Sequence, residues 1–309
     1  MMRRFVLRRL ALVPFTLLGA ALLVFAMLRL VPGDPVEIML GESAAPADVA
    51  ALRHDLGLDL PLPAQLARFL GRLARGDLGD SLAFHAPVAR VIAARYPATL
   101  ELALAALLLA VAGAVPVGAL AATRPSSPLD RTARLVSLAG VCLPTFVVGP
   151  LLVLAFAIRL GWLPPSGRGG IAHLVLPAAT LALGMAGILV RLARARVRAA
   201  LAEDHVRTAR AKGASPLRVL VCHALPSALP ALLAVIALEA GALLGGAIIV
   251  ETIFGWPGLG RLVVQAIAAR DYPLVQGCVL AIAASYVAAN AVGDLLHGAL
   301  DPRLRDAGS

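Results

Sequence analysis

The stretch His205-Val206-Arg207-Thr208-Ala209-Arg210-Ala211-Lys212-Gly213-Ala214-Ser215-Pro216-Leu217-Arg218 lies between two long apolar runs, Ile171 to Val190 and Leu229 to Val250. Runs of about 20 apolar residues match the length of helix that crosses a hydrocarbon core of about 30 Å. The cationic stretch therefore reads as a loop joining two membrane spans. Ala209 to Lys212 extends a helical stretch that begins near Ala199, and Gly213 supplies the left-handed residue that ends it. Ser215 and Pro216 then provide an N-cap and a first-turn proline for a second short helix, Pro216 to His223. Leu217, Leu220 and Val221 are expected to turn an apolar face to the bundle while Arg218 faces water. The product is a rigid elbow.

The whole composition agrees with a membrane setting. Hydrophobic residues make up 60% and charged residues 15% of the chain, against roughly 45–50% and 25% in a soluble domain. Mean hydropathy is +0.87. These values exclude a soluble globular protein and imply a polytopic membrane protein, all-α, because the apolar runs have the length of spanning helices. The net charge is +10 with a pI near 11.0. The arginines that carry it sit beside apolar runs with few aromatics between them, which fits membrane-flanking charge in contact with lipid headgroups and not a nucleic-acid surface. Cys142, Cys222 and Cys278 lie far apart and form neither a disulfide framework nor a zinc site.

Working outward from the elbow, six spans are expected. The first is Leu10 to Leu28, preceded by Arg3, Arg4, Arg8 and Arg9 and longer than a signal-peptide core. Val31-Pro32-Gly33-Asp34-Pro35 stops it, and residues 31–94 form an extramembranous region of short helices with more acids than arginines. The second span runs from about Ala98 to Ala122, the third from Leu135 to Ile158, the fourth is Ile171 to Val190, the fifth Leu229 to Val250 and the sixth about Leu274 to Leu300. Trp162, just after the third span, suits the headgroup level, and Pro177, Gly184 and Gly187 suit close helix contact in the fourth. Arg261 to Ala269 reads as an interfacial or re-entrant helix. The N-terminus, the 123–134 loop, the 191–228 loop and the tail hold most of the arginines, so the positive-inside rule puts those segments, and both termini, in the cytoplasm.

Two readings fit the elbow. A basic loop can bind anionic headgroups, at about 1 kcal/mol per basic residue. A stop-turn-cap arrangement is more than that requires, and it favours a docking surface for a cytoplasmic partner.

At these residues the chain resembles the permease subunits of binding-protein-dependent ABC importers. Their cytoplasmic signature runs Glu-Ala-Ala, three residues, Gly, nine residues, then Ile-x-Leu-Pro. With its glycine on Gly213, Ala209 falls on the second alanine and Leu225-Pro226 on the terminal pair; Arg207, Thr208 and His223 replace the glutamate, the first alanine and the isoleucine. Arg207-Thr208-Ala209-Arg210-Ala211-Lys212-Gly213 is similar to the form seen in the dipeptide/oligopeptide permease branch. Leu28 to Pro35, Gly76 to Ser81, Pro97 to Leu102, Gly161 to Pro164, Val250 to Gly260 and Arg270 to Pro273 also resemble that branch, first-subunit type.

The resemblance implies a single permease domain over residues 1–309 with the type I ABC importer transmembrane fold, multi-pass in a bacterial inner membrane. It implies a second, paralogous permease, ABC ATPase subunits and an extracytoplasmic binding protein. Arg207, Thr208, Ala209, Arg210, Lys212, Gly213, Ser215, Pro216, Leu225 and Pro226 would then form the coupling segment. The sequence supports that division independently: Lys212 is the sole lysine and precedes glycine, so the chain holds no Gly-Lys-Ser/Thr phosphate loop. ATP and magnesium belong on the partners, and no cofactor or metal is expected on this chain.

Ionisable residues within spans are functional candidates. Glu239 in the fifth span and Asn290 and Asp294 in the sixth either line a substrate pathway or pair with neighbouring helices and lock the bundle. Glu251 and Trp256, at the outer end of the fifth span, read as part of an outer gate or as an interfacial anchor. Glu101 reads as an N-terminal dipole partner of the second span and Arg29 as a snorkelling residue. No Gly-x-Ser-x-Gly or His-Glu-x-x-His occurs, which argues against an intramembrane hydrolase. A permease for nickel, glutathione or another small solute would share this scaffold. A secondary transporter or channel would need no ATPase, but the inverted repeat that would favour it is not evident.

Overall fold

The structure is a computed structural model that describes residues 2–30, 36, 45–55 and 57–300. The expected stop at Val31 to Pro35 and the tail from Asp301 lie outside those residues, as do the side chains of Arg29 and Asp294. Among the described residues the regular structure is helical apart from one two-residue antiparallel ladder, β1 Asp80–Ser81 with β2 Ala86–Pro87. In order, the helices are α1 Met2–Leu30, α2 Pro46–Asp55, α3 Leu62–Ala74, α4 Val88–Thr123, α5 Pro128–Cys142, α6 Thr145–Leu152, α7 Ile171–Ala200, α8 Asp204–Ala211, α9 Pro216–Val219, α10 Leu225–Ile253, α11 Leu259–Ala268 and α12 Tyr272–Leu300.

Among the described residues, α4, α7, α12 and the helix running from Pro216 through α10 are each long and apolar enough to cross a membrane, and the bent pair α5 and α6 makes a fifth crossing if it is one span. The sixth expected crossing falls on α1, whose stretch Val13–Met27 is a shorter apolar helix. The outer faces suit hydrocarbon. Leu108, Leu138 and Ile158 are each more than 60% exposed, an arrangement that water would penalise and lipid does not.

Three expected boundaries are corrected. The second span begins at Val88, not Ala98, so residues 88–94 belong to α4. Pro97 lies inside the helix, where packing of Ala98 and Leu102 against its neighbours compensates for the backbone donor that proline lacks. The third span is broken: Leu143 takes extended backbone (φ −88°, ψ 117°) before Pro144, and the two halves meet at a 111° bend. Proline disfavours helical backbone in the residue before it, and that is the physical cause. After α6 the chain widens into a π-helical stretch, Val153–Arg159. The fifth span begins early as well, because α9 passes through a π-helical turn, Leu220–Ala224, straight into α10.

The core is built around α4, α7 and α10, with Leu102, Leu181, Leu189, Leu244 and Phe254 inside. The α5–α7 crossing is close because both helices present glycine there. A Cβ on Gly187 would stand 2.8 Å from the Ser137 carbonyl oxygen, and Ser137 Oγ donates to the Gly187 carbonyl at 2.6 Å. At one end of the bundle α4 starts, α10 finishes and the short ladder packs; at the other lies the elbow between α7 and α10. The 29 residues of α10 separate these ends by roughly 43 Å at 1.5 Å per residue. The ladder is pinned by Asp271, which is fully buried and accepts from Ser81 Oγ at 2.5 Å, Ala83 N at 3.0 Å and Leu274 N at 3.1 Å.

Candidate functional site

The elbow forms as a turn between two capped helices. α7 ends at Ala200 and α8 begins afresh at Asp204, so the helix ending before Gly213 does not reach back to Ala199 as expected. Gly213 has φ +82°, backbone that glycine adopts without the Cβ penalty. Its N–H donates to the Arg210 carbonyl at 2.9 Å and that of Ala214 to Ala209 at 3.1 Å. This paired closure satisfies the last carbonyls of α8. Ser215 Oγ accepts from Arg218 N at 3.4 Å, and Pro216 occupies the first turn of α9. Stop, cap and restart are as expected; the second helix ending at His223 is not, since it continues into Leu225-Pro226 at the head of α10.

The apolar register also differs. Val206, Ala209, Val219, Leu220 and Ala224 are buried, but Leu217 is 67% and Val221 51% exposed. One helical turn apart, Leu217 and Val221 share an outward face, while Val219 and Leu220 fill the inner one. Arg207, Thr208, Arg210, Lys212, Ser215 and Pro216 are all exposed. Arg207 Nη1 donates to Asp204 at 3.4 Å, and Thr208 Oγ1 to the Asp204 carbonyl at 3.0 Å. His205 lies 3.2 Å from a Glu203 carboxylate oxygen and 3.3 Å from Ser227 Oγ, which ties α8 to the head of α10. A cavity of about 620 Å³ opens here, lined by His205, Thr208, Lys212, Gly213, Arg218 and His223 among others.

A second arrangement closes the opposite end. Glu251 is fully buried. Its carboxylate accepts from Thr99 Oγ1 at 2.7 Å and from the Arg261 N–H at 3.0 Å, so it caps the N-terminus of α11. Thr99 Oγ1 in turn accepts from Leu259 N at 2.7 Å. A Cβ on Gly258 would collide with the Glu251 carboxylate, which leaves glycine as the residue that fits. Trp256, also fully buried, donates its indole N–H to the Ala98 carbonyl at 2.8 Å. Arg168 lies 5.7 Å from the Trp256 ring centroid and bonds Glu101 at 2.5 Å. Glu251 and Trp256 therefore sit in the bundle core, away from the lipid-facing surface where an interfacial anchor would lie. Glu101 is well inside α4 as the partner of Arg168, not a dipole partner at a helix start.

The candidate pathway residues fall on two helices that pack together, α10 and α12. Glu239 is partly exposed and has no hydrogen bond or ion pair among the described residues. Asn290 Nδ2 donates to the Tyr286 carbonyl at 3.0 Å, within its own helix. The helices close on small residues: a Cβ on Gly241 would stand 3.1 Å from Asn290 Nδ2. Asp294 is one turn further along α12.

Sequence reasoning missed Thr99, Asp271 and the partner of Asp130. The first two lie inside segments quoted above, Pro97 to Leu102 and Arg270 to Pro273, but nothing local says that Thr99 meets a glutamate 152 positions away. Asp130 is buried and ion-paired to Arg194, with Arg134 at 3.2 Å. Two of the arginines counted as loop charge thus share one carboxylate, which offsets one of their two positive charges.

Two family models match in tandem: the N-terminal part of binding-protein-dependent transport system membrane components over residues 2–103, and the "Binding-protein-dependent transport system inner membrane component" over residues 114–306. The chain belongs to this family. It is a permease component of an ABC importer, resident in an inner membrane. The permease is 41% identical to the "Di/tripeptide transport system permease protein DppB" of Pseudomonas aeruginosa (strain UCBPP-PA14), over 98% of this chain and 99% of that protein. It is 39% identical to the "Dipeptide transport system permease protein DppB" of Escherichia coli (strain K12), with the same coverage. It is also 39% identical to the "Glutathione transport system permease protein GsiC" of Pectobacterium atrosepticum, over 99% of both. Among solved structures, inward-facing forms of the MetNI methionine ABC transporter align over 68% of the permease and 96% of the matched chain, with TM-scores of 0.54 and 0.57 at 21% and 20% identity. That likeness establishes a shared transmembrane fold.

Proposed function

We propose that this permease lines the path by which di- and oligopeptides, delivered by an extracytoplasmic binding protein, cross the inner membrane at the expense of ATP hydrolysed by separate ATPase subunits. End-to-end likeness to the DppB permeases carries the reading. A second permease completes the path, ATP and magnesium reside on the ATPases, and this chain binds no cofactor. Both termini and the elbow face the cytoplasm, supported by the arginine excess of those segments. The region from residue 31 to the start of α4 then faces outward, towards the binding protein.

In this scheme the elbow, Arg207 to Pro216 with Leu225 and Pro226 at its base, is the point at which ATPase closure is felt. A link into α10 without a break supports that role, because a push on α9 travels along one helix to the Glu251 end. Switching access requires the ATPases to bind the two states with different affinity. Glu239, Asn290 and Asp294 face the path, and Glu251 with Trp256 belongs to the outer gate. A Glu239→Gln and Asp294→Asn double variant is expected to assemble and to transport poorly; normal uptake would overturn the path assignment.

The substrate is tested by purifying the cognate binding protein and identifying its bound ligand by mass spectrometry. Short peptides are expected. Recovery of glutathione alone would favour the second reading, which the equally extensive GsiC likeness supports.

A further inference from the structure

The crossing of α5 and α7 gathers positive charge that the chain does not balance. The two helices run antiparallel: Asp130 lies against Arg194 and Ser137 against Gly187, seven residues on along one helix and seven back along the other. Asp130 is buried, and its carboxylate is satisfied within the chain. It pairs with Arg194, lies 3.2 Å from Arg134 and accepts from the Ser126 N–H at 3.0 Å. One carboxylate thus fixes two guanidinium groups at the crossing, and Arg134 keeps 56% of its side chain exposed. Arg131, Arg191 and Arg198 are exposed too, with no ion pair among the described residues.

Helix geometry puts these cations on one side. At about 100° per residue, Arg134 and Arg131 lie clockwise of the line where α5 meets α7, viewed from the start of α5. Arg191 and Arg198 lie clockwise of it viewed from the start of α7. In an antiparallel pair those two sides face the same way. The pairing of Asp130 with Arg194 sets Arg134 level with Val190, so Arg134 and Arg191 flank the crossing at one depth. Arg196 is about 140° round α7 from Arg191 and faces elsewhere. The cationic face then continues as an apolar one: Arg131, Arg134, Leu138 and Val141 recur every three or four residues along α5, and Leu138 and Val141 are exposed. A basic pocket between spans suits an anionic lipid headgroup. A soluble phosphate would use the arginines and leave the apolar stripe unused.

We propose that the α5–α7 crossing binds one anionic phospholipid, its phosphate between Arg134 and Arg191 and within reach of Arg131, with an acyl chain along Leu138 and Val141. Asp130 is the positioning residue: it holds Arg134 and Arg194 in place and, being buried and paired, does not repel the phosphate. Each arginine at such a headgroup contributes about fivefold in affinity.

Native mass spectrometry of the purified transporter complex, titrated with phosphatidylglycerol or with phosphatidylcholine, tests the site. One phosphatidylglycerol is expected to stay bound at concentrations where phosphatidylcholine does not. Arg131→Gln with Arg191→Gln removes two cations that make no ion pair in the chain, so the lipid-free melting temperature should match the parent. The same double variant should weaken phosphatidylglycerol binding about thirtyfold, whereas Arg196→Gln should leave it within about twofold. A fivefold loss from Arg196→Gln, the share of one charge among many, would reveal diffuse attraction and overturn the site. Inorganic phosphate that displaces the lipid, or raises the melting temperature as phosphatidylglycerol does, would make this a phosphate site and overturn the lipid assignment. Lipid that binds the isolated permease but is lost from the assembled complex would show another subunit covering this face, and the proposal would fail.

Discussion

The elbow and the Glu251 closure are built from the same parts and come out opposite. In each, a helix stops at a left-handed glycine, Gly213 with φ +82° or Gly255 with φ +61°, turns through a proline-containing segment and restarts as a helix, long after the elbow and short at α11. At the Glu251 end these strong groups are answered from within the chain: Glu251 by Thr99 and Arg261, Trp256 by Ala98, Arg168 by Glu101. At the elbow Lys212, Arg218 and Leu217 face outward, answered by nothing in the described residues. One turn is finished by the fold and the other leaves those side chains open among the described residues. A motif of stop, turn and restart therefore says where the chain bends, and the state of its side chains says whether the bend is structural or waits for contact.

The sharpest way to break the comparison is at Gly258 and Glu251. Glu251→Ala leaves the Thr99 hydroxyl and the Arg261 N–H unanswered in the core, at about 3 kcal/mol, and Gly258→Ala forces the carboxylate aside with a similar cost. Both variants should lower the apparent melting temperature of the detergent-solubilised permease by about 5–10 °C. Melting within a degree of the parent would show that the closure is not held as described. Leu217→Asp comes next and tests the other side. It should leave melting unchanged and, on the proposed docking of the elbow, weaken ATPase association about thirtyfold, or about 2 kcal/mol, through loss of an exposed apolar side chain. A drop in melting temperature would mean Leu217 already packs within the chain.

Gly213→Ala sharpens the contrast between the glycines. No atom lies within 4 Å of its would-be Cβ, so the cost is backbone strain alone, about 1 kcal/mol, read as a small melting shift well below that of Gly258→Ala. The smallest effect is expected just after α3, at the surface pair of Arg72 and Asp77, 2.9 Å apart. The hydrogen bond from Arg72 holds the Asp77 carboxyl below its ordinary value of 3.8. Its contribution is present above that ordinary value and lost as pH falls through the lower folded one. Asp77→Asn should remove less than about 1 kcal/mol at pH 7 and narrow the melting difference between pH 6 and pH 3.

Much of this was legible in the residues. Gly213 and the Ser215-Pro216 pair define the elbow because their conformational preferences act locally, and Leu143-Pro144 would have given the break in the third span by the same rule. The likeness to DppB-type permeases runs through segments that sequence alone displays. What sequence reasoning got wrong were matters of register and of partner. Leu217 faces out where an inward face was expected, since the π-helical turn after Val219 and the packing of α8 decide which side of α9 is covered. Glu101 belongs to Arg168, 67 positions away.

The sequence by itself determined the membrane class, the approximate spans, the elbow and the absence of a phosphate loop, because hydropathy, backbone preference and motif chemistry are properties of neighbouring residues. Only the tertiary structure decided that Glu251 and Trp256 are sealed inside the bundle while Lys212 and Arg218 stand open. Desolvation and hydrogen-bond satisfaction depend on what other helices bring to a side chain, and that is fixed by packing across the chain.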